Sequence, residues 1–244
     1  MADRLRSLAL GGACAAFVTI PTVGPLLGRG EQTRRYDTVI TPPDYAFVVW
    51  APIFAGCALS TIGAVRPAGR SQPMSRRTGW ALAGAYATNA AWSVAAQSDR
   101  FAATPFLLPV AAAFAARAHA GLQDLPAPTG WAAVTPASTG LLLGWTALAS
   151  VVNVAAGARL AGAPPTAPRT IAASTAGLVV AGATLAGAVA KSRRGRVPLA
   201  TAAGWGLLTT ALTSRRPTAV RLAAATAAAA IAAALARPRS RPAE

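Results

Sequence analysis

Of the 244 residues only 12% are charged and 54% are hydrophobic, about half the charged fraction of a soluble domain, which excludes a fully solvated globular fold. The net charge of +16 comes largely from short basic groups between long uncharged stretches, RPAGRSQPMSRR, KSRRGR and SRRPTAVR. They lack the interleaved aromatics that stack bases, so the reading excludes nucleic acid as a partner and takes the lipid bilayer instead.

The chain divides into eight uncharged or nearly uncharged windows, 8–28, 45–65, 79–97, 101–116, 137–158, 170–190, 197–213 and 219–236. A helix needs about 20 mainly apolar residues to cross the hydrocarbon, and about 17 is a lower bound. Helices are the required form because an open sheet edge in lipid leaves backbone groups unpaired. The expectation is therefore an all-α integral membrane protein with eight crossings.

The first window follows Arg4 and Arg6, an arrangement shared with secretory leaders. It runs on through PTVGPLLG past the length of a leader, which favours a retained helix. The second begins TPPDYAFVVWAPIFAG, with Trp50 and Phe54 one turn apart. The third carries TNAAWS, placing Asn89 and Trp92 on one face. The fourth is short, and Arg117 extends it by snorkelling. The fifth carries Trp145 and Asn153, eight residues or about two turns apart and again on one side. After AGAPPTAPR come three further windows, of which the last is nearly all alanine, contains Arg221 and has the weakest insertion signal.

Lys and Arg number fourteen on the N-terminal side of an eight-helix chain and nine on the other. That bias places both termini in the cytoplasm, against three arginines in the loop from Arg29 to Asp37. All seven acids fall at termini or in loops, so no intramembrane carboxylate serves a proton relay or cation site. No phosphate loop, hydrolase triad or metal-ligand spacing is present, and the reading is of a non-enzyme without cofactor or metal. Cys14 and Cys57 read as small hydrophobes, and His119 as an interfacial residue beside Arg117. The pairs Gly24/Gly28 and Gly140/Gly144 allow close helix approach, within the bundle or in a homodimer.

Trp50, Trp92 and Trp145 lie too deep for an interfacial belt, and buried amides at Asn89 and Asn153 must find partners. Two readings follow: that these residues hold helices together, or that they face one pocket. The order PPDYAFVVW, NAAWS, then Trp145, Ala149 and Asn153 as W-x3-A-x3-N resembles the tryptophan-rich sensory protein family, also called the TspO/MBR or translocator-protein family. That family has PPxWxF and VWxxLY on its second helix, LNxxWS on its third and an AWxxxAxxxLN-like segment on its fifth. Here Tyr45 stands for a Trp, Phe54 for a Tyr and Ala85 for a frequent Gln.

The resemblance covers about residues 8 to 160 and implies a five-helix unit over 1–162. Residues 163–244 then add about three transmembrane helices and a basic tail, and truncation between the two should leave the five-helix unit folded. It further implies a membrane receptor, sensor or transport factor for a flat hydrophobic ligand, tetrapyrrole, porphyrin-like or sterol-like, in a bacterial cell membrane. The ligand residues it implies are Tyr45, Phe47, Trp50, Phe54, Asn89, Trp92, Trp145 and Asn153, with Trp205 outside the resemblance as a comparison. A small-molecule permease or exporter component is the alternative with the same composition.

Overall fold

A computed structural model describes residues 1–28, 36–98 and 100–238, and among these all regular structure is helical. The loop arginines at 29, 34 and 35 and the basic tail from 239 lie outside the described residues. Eight long helices correspond to the eight windows: α1 (Ala2–Leu26), α2 (Trp50–Val65), α4 (Pro73–Ala96), α5 (Thr104–Ala120), α6 (Val134–Leu160), α7 (Pro168–Lys191), α8 (Arg196–Leu212) and α9 (Thr218–Ala236). A single-turn helix, α3 (Pro67–Arg70), sits between α2 and α4. Proline marks the first turn of α3, α4, α5 and α7, where its missing N–H is one the helix leaves unbonded anyway.

Six of the long helical segments are long and apolar enough to cross a membrane, those of α1, α2, α5, α6, α7 and α9. The eight-crossing expectation therefore stands on length and composition for six segments. Helix α8 has only 17 residues, and α4, at 24, is long enough but rich in Ala, Gly, Thr and Ser. Helix α8 packs against α6, α7 and α9 and helix α4 against α1 and α5, and α4 buries fifteen of its residues, from Met74 through Asn89 and Trp92 to Ala96. A helix surrounded by protein exposes little surface to lipid and needs less apolar composition than one that faces it. The alanine-rich α9 meets the requirement despite Arg221, whose Nε donates to Ala211 O at the end of α8 and so places the charge at a helix C-terminus.

Polar contacts group the helix ends into two sets. At one end Asp3 pairs with Arg6 and Arg76, and the Arg6 guanidinium donates to the carbonyl of Arg70. At that end too Arg66 lies 4.1 Å over the Trp131 ring, and Arg196 donates to Ala234 O and Leu235 O at the end of α9. His119, expected at an interface, is instead 4% exposed there, its Nε2 2.8 Å from Ser192 Oγ. Burial follows because α5 ends against the turn between α7 and α8. At the opposite end, Gln97 donates to Ile20 O and Arg159 to Asp37 O. The described N- and C-terminal ends thus lie on the same side of the bundle.

One core cluster runs from Leu10 of α1 to Ala234 of α9, so the last three helices share the interior of the first five. The join is made by glycine. A Cβ on Gly140 would sit 2.3 Å from Gly195 O, and one on Gly144 2.5 Å from Leu199 O, so α6 and α8 meet backbone to backbone. This glycine pair is used inside the bundle. Gly195 itself adopts φ +65 just before α8, a left-handed turn that glycine enters without steric cost.

Candidate functional site

The segment before α2 sets up the site. Pro43 is extended, Asp44–Val49 winds into a 3-10 turn, and α2 begins directly at Trp50. This tight entry directs Phe47 and Trp50 inward together. Their rings meet Trp145 of α6 edge-on, Phe47 at 5.6 Å and Trp50 at 6.1 Å between centroids. Edge-to-face packing at this range is the favoured arrangement of aromatic quadrupoles.

From the other side, Trp92 of α4 donates its indole N–H to Asn153 Oδ1 of α6 at 2.9 Å. Asn153 Nδ2 in turn donates to Ala149 O at 3.0 Å, one turn back in the same helix. The indole and the amide are therefore a bridge between α4 and α6, and they fix which faces those helices turn to each other. Among the described residues the Trp145 indole N–H has no hydrogen-bond partner, although the residue is only 2% exposed.

Between these groups lies a cavity of about 50 Å³, lined by Phe47, Trp50, Trp92, Trp145 and Asn153 together with residues of α5, α6 and the loop before α2. It sits at a seam: Trp92 and Leu108 belong to a small core cluster of their own, while Trp145 and Leu148 belong to the main one. Among the described residues that line it, none is Asp, Glu, His, Lys or Arg. The wall offers ring faces and a few neutral donors, which suits stacking and orientation of an apolar ligand rather than proton transfer at neutral pH.

Five of the eight site residues expected from sequence line this cavity. The other three stand elsewhere. Tyr45 is 57% exposed and packs edge-on against Trp205 at 6.2 Å, on the outer side of the 3-10 turn. Phe54 stacks on Trp50 at 5.2 Å and meets Phe17 of α1 at 5.0 Å, one layer behind the wall. Asn89 is 2% exposed, its Nδ2 bonded to Ala85 O and its Oδ1 without a partner among the described residues. Trp205 is not remote either, because its indole donates to Ala46 O at 2.8 Å and so supports the turn that carries Phe47.

Sequence reasoning missed Tyr36, Thr41, Pro42, Phe101 and Leu108, all of which line the cavity. Tyr36 stacks on Phe101 with centroids 3.6 Å apart. The two lie 65 positions apart in loop and helix-start positions, where no periodic signal exists to pair them. The only hint was the aromatic residue at the head of the fourth window.

The model of the TSPO-like protein family matches residues 15–237 of the chain. The chain belongs to that family. The TSPO-like match continues through α7, α8 and α9, beyond the stretch near residue 160 where the motif resemblance ends. No curated protein and no solved structure matches the chain. TSPO-like membership together with the six apolar segments makes this a multi-pass integral membrane protein. It indicates a sensor or binding protein of the membrane, in a family whose members are in general not enzymes.

Proposed function

We propose that this TSPO-like protein binds a flat hydrophobic molecule, tetrapyrrole-like or sterol-like, in the cavity between α2, α4, α5 and α6, and acts as a membrane receptor, sensor or transport factor for it. The observation that carries the reading is the convergence of Phe47, Trp50, Trp92 and Trp145 on one apolar cavity, with the Trp145 N–H left unpartnered. Ring faces stack a planar ligand, and a buried donor without a partner gains a hydrogen bond when the ligand brings an acceptor.

The test is titration of the purified full chain with protoporphyrin IX, followed by quenching of tryptophan fluorescence. Trp145→Phe removes an indole from the cavity, whereas Trp131→Phe removes one stacked under Arg66 at the opposite end. Trp145→Phe keeps a ring but removes the free indole donor, a hydrogen bond of about 0.5–1.5 kcal/mol, so it is expected to weaken binding by about two- to tenfold. Trp131→Phe is expected to leave affinity unchanged. Equal weakening by both, or no binding of the intact protein at micromolar porphyrin, removes the pocket reading and leaves helix packing as the role of these aromatics.

A further inference from the structure

A cavity of about 50 Å³ holds a few water molecules, whereas sites for drug-sized ligands occupy about 300–1,000 Å³. A ring-shaped ligand therefore enters only if a wall moves. Most of the wall is long helix, tied by its own hydrogen-bond ladder and by the packing of α4, α5 and α6. The exceptions are Phe47 and Phe101, each in a short 3-10 turn joined directly to a long helix, and the loop 36–43, which contributes Tyr36, Thr41 and Pro42. No helix ladder holds this loop, so its tertiary bonds decide whether it opens.

Among the described residues, four hydrogen bonds into the loop come from one side chain. Arg216, in the turn between α8 and α9, is 8% exposed and grips the Asp37 carboxylate with both terminal nitrogens, Nη1 at 3.0 Å and Nη2 at 2.8 Å. The same nitrogens donate to Thr38 O at 2.6 Å and Thr41 O at 2.7 Å. The fork thus reaches three residues of the loop. Within the loop the Thr38 N–H donates to Thr41 Oγ1 at 2.9 Å, so the segment curls around the guanidinium as a unit. Arg159 adds one bond from α6, to Asp37 O. A bidentate charge-assisted pair is among the stronger polar contacts a side chain makes, and partial burial protects it from solvent screening.

We propose that Arg216 is the positioning residue for the cavity: it holds the loop 36–43 closed, and ligand enters and leaves when the Arg216–Asp37 grip is released. This makes the helices that follow residue 162 part of the site, although none of their residues lines the cavity. The proposal rests on the cavity being the ligand site, and its test separates the two.

Ala149 lies on the cavity wall, and Ala227 of α9 is 5% exposed and packs on Gly182 of α7, away from the loop. In a full-length background with Cys14→Ala and Cys57→Ala, single cysteines are placed by Ala149→Cys or by Ala227→Cys. The rate of modification by a small water-soluble methanethiosulfonate is then measured without ligand. Arg216→Gln and Asp37→Asn are each expected to speed modification at position 149 by about tenfold, leave position 227 unchanged, and accelerate protoporphyrin IX dissociation in parallel. Asp37→Asn keeps the arginine and its carbonyl bonds, so it serves if Arg216→Gln lowers the yield of folded protein. Unchanged modification at 149 overturns the proposal. Equal acceleration at 149 and 227 also overturns it, since Arg216 would then only staple the last helices to the bundle. If modification responds as expected but the intact protein binds no porphyrin, the loop assignment stands and the ligand class falls.

Discussion

At the scale of single residues, the cavity wall divides into groups already bonded to protein and groups left free. Asn153 illustrates the first kind. Its amide accepts from Trp92 and donates to its own helix, so its contribution is to α4–α6 geometry before it is to any ligand. Interhelical hydrogen bonds in membranes contribute about 0.6 kcal/mol on average and about 1.7 at most. A double-mutant cycle of Asn153→Ala and Trp92→Phe, read by unfolding in mixed micelles, is expected to give a coupling of about 0.5–2 kcal/mol. Strict additivity would show that the bond contributes nothing to the fold. Trp145 illustrates the second kind, since its indole donor is buried and unpartnered, and its replacement by Phe should affect ligand affinity more than stability.

At the scale of elements, α6 is the helix on which the rest depends. One face meets α8 through Gly140 and Gly144, and another presents Trp145, Ala149 and Asn153 to the cavity. A chain ending after residue 162 keeps five of the eight long helices but uncovers that glycine face and loses both Arg216 and the Trp205 bond to Ala46. Truncation there is expected to leave an inserted protein that melts at a clearly lower temperature than the full chain, measured by thermal unfolding monitored with size-exclusion chromatography. An unchanged melting temperature would mean that the first five helices are self-sufficient. The lower hydropathy of α4 fits the same picture, because its small and polar residues suit a helix that packs closely on α1 and α5.

At the scale of the whole molecule, the two sets of helix ends predict topology. The N-terminal end of α1, the C-terminal ends of α5 and α9 and the turn before α8 share one side, and that side carries the basic clusters around Arg70, Arg76 and Arg193. The positive-inside rule predicts that this side is cytoplasmic. Reporter fusions after Arg117 and after the C-terminal residue should both read cytoplasmic, and a fusion after Gly162 should read on the opposite side. A cytoplasmic signal at Gly162 would remove the alternating eight-helix arrangement. A homodimer through lipid-facing surfaces is a separate proposal, and the Gly140/Gly144 pair does not support it because α8 already occupies that face.

The sequence alone was enough for what depends on the solvent. Uncharged windows of sufficient length fix how many helices form and roughly where each begins, because lipid penalises unpaired backbone and buried charge residue by residue. It also placed Trp50, Trp92, Trp145 and Asn153, since helical periodicity puts these residues on defined faces of single elements. Tertiary structure alone decided which of those faces met. Tyr45 turned outward onto Trp205, Tyr36 found Phe101 across 65 residues, and Arg216 closed on a loop 179 positions away from it. In a chain of alanine, glycine and leucine many helix faces are nearly equivalent in lipid, so periodicity does not choose among them. The choice falls to a few close backbone approaches and charge-assisted bonds, whose partners are distant in sequence and carry no local pattern.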